Sequence, residues 1–351
     1  MKEDIKKKLI NKIFDNIHQK DISSGMVIAS PSREEPDYYY HWIRDSAIIM
    51  RILLKHYLNN PKDFRCFKQI IDYIENEYHL QNIDSISGLG EPKFNVDRTA
   101  FNFNWGRPQN DGPGLRGIVM IEIYQILKKD YGNLCKCIIE IISKDIDYIM
   151  KNIHNPSFDL WEEIYGYHLY TRMVQYKFMK ELVNILNSKE ILDISYFNSL
   201  QKKKLHIMKC MEELKDLIAH HNISYSSFDL QGNPCREYDA SILLGIAHID
   251  YDCEVFDIYN DRFKNYILDM INYFYMEYDI NKDTYDNKKF IYLGRYKDDV
   301  YFGGNPWIIT TTALISLLIH YKNTDYEQYL HDNMINEQTI DKYIKYIRSI
   351  E

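Results

Sequence analysis

Five consecutive residues, Asp159-Leu160-Trp161-Glu162-Glu163, set two adjacent acids behind a tryptophan, just past the helix-stopping Asn155-Pro156. An apolar aromatic wall and a like-charged neighbour each raise a carboxyl pKa. A carboxyl placed in this way keeps its proton near neutral pH and can act as a general acid, the first requirement for cleaving a sugar acetal. Ordinary helix termini also carry acids beside tryptophan, so the pentad gains weight only from its surroundings.

Three further loops share its character. The segment Pro36-Asp37-Tyr38-Tyr39-Tyr40-His41-Trp42-Ile43-Arg44-Asp45 runs into a helical pattern. Arg44 and Asp45 offer a planar donor and a carboxylate acceptor to sugar hydroxyls, with Trp42 as a stacking face; Asp45 reads equally well as a helix N-cap. Next, Gly88-Leu89-Gly90-Glu91-Pro92-Lys93-Phe94-Asn95-Val96-Asp97 continues to Trp105-Gly106-Arg107-Pro108-Gln109-Asn110-Asp111-Gly112-Pro113. Its density of Gly, Pro, Asn and Asp predicts an ordered, tightly turned surface. Trp105 is either a sugar platform or a plug beneath the loop. The last loop is Gly294-Arg295-Tyr296-Lys297-Asp298-Asp299, followed by Gly303-Gly304-Asn305-Pro306-Trp307. Arg295 could hold substrate, neutralise an acidic site, or make a surface ion pair.

Several chemistries are excluded. Gly88 and Gly90 resemble a phosphate-cradling turn only superficially, because Pro92 interrupts the helix such a turn must open. No Gly-x-Ser-x-Gly elbow, His-Glu-x-x-His, EF-hand loop or P-loop occurs, and the 12 histidines show no ligand spacing. His248 reads as a satisfied core histidine. A net charge of -8 argues against nucleic acid or an anionic membrane as partner. The lysine runs at 6–8 and 202–204 fall on solvated helix faces. The 31 tyrosines accompany abundant Ile, Lys and Asn, as a biased base composition would also produce. Six cysteines without metal spacing, and no export signal, predict reduced thiols and a cytoplasmic protein, unless the true start lies upstream.

The elements that must position these loops are helical. Amphipathic segments recur near 3–19, 45–59, 64–81, 113–130, 134–153, 168–187, 196–221, 238–248, 262–278 and 306–321. Long β-type alternation is scarce, and no linker separates a second module. The pattern predicts one all-α domain, a helical bundle or double-layered helical barrel, with loops 25–44, 84–113, 155–167 and 290–306 carrying function.

Taken in order, the four loops resemble glucoamylases, the glycoside hydrolase family 15 enzymes. The matching residues include Gly25 through Ser32, Pro36-Asp37-Tyr38, Trp42 through Ser46, and Gly88 through Asp97. Trp105 through Pro113, Asp159 through Glu163, Leu244-Gly245 with His248, Gly294-Arg295-Tyr296 and Gly304 through Trp307 complete the series. The resemblance implies an (α/α)6 barrel and inverting release of glucose from non-reducing ends of α-1,4-glucans. It assigns Glu162 as general acid, Glu163 and Arg295 to the sugar beyond the cleaved bond, and Arg44 and Asp45 to the terminal glucose. Leu160, Trp161, Trp105 and Trp307 would line the substrate site. Asp159 matches a signature acid to which some descriptions give a catalytic part, although a structural part fits better. Tyr38 matches a tyrosine near the attacking water.

Two departures are visible. The family's base lies in a Ser-Glu-Gln-Tyr-like segment, and the best local match is Asn336-Glu337-Gln338, making Glu337 the candidate base; Glu327-Gln328 shows that the dipeptide also arises by chance. Phe101-Asn102-Phe103-Asn104 replaces the usual tyrosine and small residues before Trp105. The expectation is therefore a single catalytic domain over 1–351, truncated or compacted at its C-terminal end, without a starch-binding module. It would act as a monomer on an α-glucan or maltooligosaccharide, with no cofactor, metal, nucleic acid or membrane. A glucan-binding pseudoenzyme lacking its base, and a trehalase-like α-glucosidase, are the alternatives.

Overall fold

The computed structural model describes residues 2–17, 19–188, 194–284 and 291–322. Contacts divide the chain into two compact units: Met1–Tyr165 with Val174–Asp216, and Gly166–Met173 with Leu217–Glu351. Among the described residues no helix is long and apolar enough to cross a membrane.

In the first unit, α1 (Lys2–Ile17) precedes a long loop and strand β1 (His41–Trp42), which runs straight into α2 (Ile43–Asn59). Helix α3 (Phe64–Leu80) follows a short turn, capped by the Asp63 side chain on the Arg65 amide. Strand β2 (Lys93–Phe94) interrupts the next loop before α4 (Gly112–Leu127) and α5 (Gly132–Asn152), and β3 (Ser157–Phe158) precedes the acidic pentad. Strands β1 and β2 pair antiparallel, setting Trp42 opposite Lys93.

Helix α4 is buried on nearly every side, so its sequence shows no polar face. It packs so closely that a Cβ on Gly117 would lie 2.4 Å from the Phe178 ring. Beneath β1, four fully or almost fully buried polar side chains link β1, α3, α4 and α5. Arg116 clasps Asp145 through two hydrogen bonds of 2.9 and 2.6 Å and reaches Glu77 at 3.2 Å. His41 Nε2 meets Glu77 Oε1 at 2.9 Å, while its Nδ1 accepts the Val27 amide proton. That acceptor role fixes the tautomer: the proton sits on Nε2 and is donated to Glu77. His41 thus anchors the strand from which Trp42 projects.

Strand β4 (Tyr165–His168) leads into the second unit and into α6 (Leu169–Asn187), which returns to the first unit from Val174. Helix α7 (Ile194–Ala219) then brings the chain back to the second unit. There β5 (Tyr225–Phe228) pairs with β4 and with β6 (Pro234–Glu237), all antiparallel. The turn between β5 and β6 is held by Asp229, whose Oδ1 accepts the amides of Gln231 and Asn233. Helices α8 (Ser241–His248), α9 (Asp261–Glu277), α10 (Asp279–Thr284) and α11 (Ile308–Lys322) complete the described chain.

All ten segments expected from periodicity are helices. Strands β4–β6 and the short α10 have no such signal, because four-residue strands with buried Ser226 and Ser227 show no apolar alternation. The start of α2 also differs from expectation. Asp45 is not its N-cap: Trp42 holds that position without a side-chain bond, and Asp45 lies inside the first turn. His248 is satisfied by the Tyr170 hydroxyl at 2.9 Å.

Candidate active site

The acidic pentad forms a tight turn built on Asp159. Its carboxylate is almost fully buried, and Oδ1 accepts the amides of Glu163 and Ile164, each at 2.8 Å. Oδ2 takes the Trp161 amide at 3.2 Å, and the Asp159 carbonyl takes that of Glu162 at 3.0 Å. These bonds hold Glu162 at φ +66°, the left-handed region that an L-residue enters at a cost of about 1–2 kcal/mol. The strained backbone aims the Glu162 side chain at the 101–111 loop. Those two loops touch at Gly106, where a Cβ would lie 3.0 Å from Phe158 and 3.1 Å from the Glu162 carbonyl oxygen.

Two N–H groups meet the same oxygen of Glu162. Trp42 Nε1 donates to Oε1 at 2.7 Å and Gln109 Nε2 donates to it at 2.8 Å. Arg44 Nη2 stands 3.7 Å from Oε1. With both lone pairs of Oε1 committed, a proton carried by this carboxyl resides on Oε2. Gln109 is itself oriented from both ends: its Oε1 accepts from Arg44 at 3.1 Å, and its Nε2 also reaches the Gly106 carbonyl at 3.0 Å. Arg44 is in turn fixed by Asp111 at 2.6 Å. The chain Asp111–Arg44–Gln109–Glu162 therefore joins the starts of α2 and α4 to the pentad.

Asp45 lies 3.9 Å from Arg44. Loss of surrounding water raises its carboxyl pKa, Arg44 opposes this, and the negative charges of Glu162 and Asp111 add to it. With 40% of the side chain still open to solvent, screening moderates the push. Lys93 is the other displaced group. Its ammonium sits 3.2 Å from the Trp105 ring centroid and within 4.2–4.5 Å of Phe101, Tyr40 and Trp42. Burial lowers its pKa to about 8, against the upward pull of Glu162 and Asp37.

Trp42 is only 3% exposed, its ring flanked edge-on by Tyr38, Tyr40 and Trp105. It supplies an N–H to Glu162 rather than the open stacking face expected of it. Trp105 is 37% exposed, so it is not a plug beneath the loop. Tyr38, Leu160 and Trp161 are half-buried and Glu163 is exposed. Within the first unit the structure therefore assembles Trp42, Arg44, Asp45, Trp105 and Glu162, with Tyr38 beside Trp42 and Asp159 beneath the turn. It adds Lys93, Gln109 and Asp111, to which sequence reasoning gave no role although they stand in the loop it singled out.

Arg295 and Trp307 belong to the second unit. Asp299 clasps the Arg295 guanidinium through bonds of 2.8 and 2.6 Å, and the side chain is 4% exposed. Trp307 stacks on Tyr301 at 5.9 Å, and the guanidinium faces the Tyr301 and Trp307 rings at 4.6 and 5.5 Å. Burial alone would raise the Asp299 carboxyl, but bonds from Arg295 and the Tyr301 amide bring it below its ordinary value. Glu337 and Glu327 lie outside the described residues.

A separate cluster of ligand-type side chains, His56, Asp63 and Cys66, converges in the first unit. Both Asp63 oxygens are already engaged by Arg65, and burial pushes the Cys66 thiol up to about 12. The carboxylate caps α3.

The family model described as glycosyl hydrolases family 15 matches residues 4–337. The intracellular sporulation-specific glucoamylase of Saccharomyces cerevisiae is 31% identical, over 89% of this chain and 62% of its own. A probable glucoamylase of Schizosaccharomyces pombe is 30% identical, over 88% and 68%. Among solved structures, the glucoamylase from Saccharomycopsis fibuligera superposes with TM-score 0.77 at 26% identity, covering 91% of this chain and 73% of that one. The fold class is the all-α (α/α)6 barrel of these structures. The chain belongs to glycosyl hydrolases family 15. It spans 62% of the length of the sporulation-specific relative and 44% of glucoamylase S1 of the same yeast.

Proposed function

We propose that this protein hydrolyses terminal α-1,4-linked glucose from the non-reducing ends of glucans with inversion, Glu162 being the general acid. The observation that carries this reading is the placement of Glu162: a strained backbone holds it, and Trp42 and Gln109 both donate to Oε1, so that Oε2 is the oxygen turned to substrate in this reading. In an inverting reaction the acid protonates the leaving oxygen while a carboxylate on the opposite face of the sugar activates water. Arg44 and Asp45 grip the terminal glucose, and their shared contacts with Asp111 and Gln109 couple that grip to the placement of the acid. Trp105, Leu160 and Trp161 line the substrate, with Tyr38 near the attacking water. Asp159 is a positioning residue, consistent with its burial beneath the turn. Glu163 and Arg295 serve the sugar beyond the cleaved bond, Trp307 lines the substrate site, and Glu337 is the candidate base.

The relatives named as glucoamylases support the same substrate class. The test is the anomer released from maltose or short maltodextrins, followed by NMR. β-Glucose from the wild type, with none from Glu162→Gln, is the expected result, and Glu337→Gln should act likewise. Release of α-glucose, or sugar binding without turnover, overturns the reading.

A further inference from the structure

A series of aromatic rings runs outward from Glu162 through the first unit, each step with centroids about 6 Å apart. Trp42 bonds the carboxyl; Trp42 to Trp105 is 6.1 Å, Trp105 to Phe101 is 6.0 Å, and Phe101 to Phe103 is 5.6 Å. Exposure is 3% at Trp42, 37% at Trp105, 6% at Phe101 and 75% at Phe103. The two exposed rings therefore share one buried support, Phe101, whose other neighbours are Tyr40 at 5.1 Å and the Lys93 ammonium.

The exposure of Phe103 is built in. Arg107 Nη1 and Nη2 donate to the carbonyls of Phe103 and Phe101, and its Nε donates to Glu91 Oε1. This clamp fixes the loop backbone, so Phe103 stays in water where a free loop would fold its ring inward. Asn102 and Asn104, both exposed, alternate with the rings along the chain and add amide donors and acceptors to the same stretch. Of the two cations against these rings, Arg107 is turned onto the Phe101 and Phe103 carbonyls and a buried acid, and Lys93 is buried 3.2 Å from the Trp105 ring centroid.

Apolar plates flanked by neutral amides suit a neutral ring that has apolar C–H faces and hydroxyl edges. On this basis, and resting on the hydrolase reading above, we infer that Phe103 and Trp105 with Asn102 and Asn104 form an outer shelf. It binds further glucose units of the same glucan chain whose end reaches Glu162. The occupant follows from continuity: the shelf is the outer end of a ring series that begins at the acid. Phe103 is then a specificity-determining residue that makes the enzyme favour long chains over maltose, which is too short to reach it.

The experiment compares maltose with maltoheptaose on wild type, Phe103→Ala and Phe103→Trp. Phe103→Ala should raise KM for maltoheptaose by roughly three- to tenfold, the worth of one aromatic contact. It should leave kcat and KM for maltose unchanged, and Phe103→Trp should restore the long-chain KM. Calorimetric binding of both sugars to Glu162→Gln, with and without Phe103→Ala, should show the same split without turnover. If neither sugar is hydrolysed yet the calorimetric split appears, the shelf stands and the hydrolase reading falls. If maltose is hydrolysed but both lengths respond alike to Phe103→Ala, or neither responds, the shelf falls alone. Loss of a concentration-dependent dimer in Phe103→Ala, with length dependence intact, would identify a second copy as the occupant and overturn the inference.

Discussion

Each unit has a buried arginine among its candidate site residues clasped by an aspartate, and these two clasps, Arg295–Asp299 and Arg44–Asp111, are built differently. Arg295 pairs with Asp299 four residues away, among rings from its own loop. Arg44 pairs with Asp111 across 67 residues, shares Gln109 with Glu162, and stands near Asp45. The first clasp is a local device whose carboxylate serves a single cation. The second is a junction of several chain segments, in which one charge is balanced by several partners. A local pair concentrates stability in one contact, whereas a junction spreads it and couples it to the geometry of Glu162.

Removing one partner of each clasp should separate the two designs. Asp299→Ala leaves the Arg295 charge buried beside aromatic rings and should cost about 3–5 kcal/mol in urea unfolding. Asp111→Ala should cost clearly less, because Gln109 still accepts from Arg44, and Glu162 and Asp45 lie 3.7 and 3.9 Å from the guanidinium. Equal losses would remove the distinction between local and distributed clasps.

Acid should weaken the second unit through a buried histidine. His221 Nε2 donates to the Tyr225 carbonyl, and its buried Nδ1 has no partner. Burial lowers its pKa to about 4; the Tyr225 carbonyl opposes this, and Arg172 and His168 reinforce it. In the unfolded chain the imidazole takes its proton near 6.5, so stability is full above that pH and is lost as pH falls towards 4. The loss is about 3 kcal/mol. His221→Phe should flatten that part of the profile, measured as the wild-type minus variant difference in urea unfolding at pH 7 and pH 4.5.

For the first unit the sharper readout is rate. Asp159→Ala removes the acceptor of three backbone amides and should lower kcat on the order of a hundredfold by displacing Glu162. Asp159→Asn keeps one acceptor oxygen and should retain much of the rate. A catalytic carboxylate at 159 would instead lose activity fully in the asparagine variant, with the turn intact.

The contrast between the clasps also explains what the sequence could reveal. Arg295 and Asp299 share one loop, so their pairing is local in the chain. The amphipathic helices are equally visible, because each writes its own 3.6-residue period. Gln109 carries no such mark: it acts by turning each end of one amide towards a group brought there by folding. Lys93 reaches Trp42 only through the register of two two-residue strands, too short to show alternation. Trp42 was expected to offer a ring face, but its partner for the indole N–H lies 120 residues away. Asp45 looked like a cap because the chain turns at Trp42 without a capping side chain.

The smallest expected effect has the opposite sign. A lysine almost without exposure, whose pKa burial has lowered to about 8, carries a charge at neutral pH that the fold does not favour. Lys93→Met fills the same space without that charge and should stabilise the protein by about 1–2 kcal/mol at pH 7. The wild-type chain holds this proton less firmly folded than unfolded, so its own stability rises as pH climbs from 8 towards 10.5, and the variant's advantage shrinks across that window. The same substitution should lower kcat/KM, since Lys93 supports the faces of Trp105 and Phe101 and balances charge near Glu162. A gain in stability with a loss of rate would mark Lys93 as strain retained for function in the first unit. If Lys93→Met instead destabilises at pH 7, the aromatic box favours the cation and the site is relaxed around it.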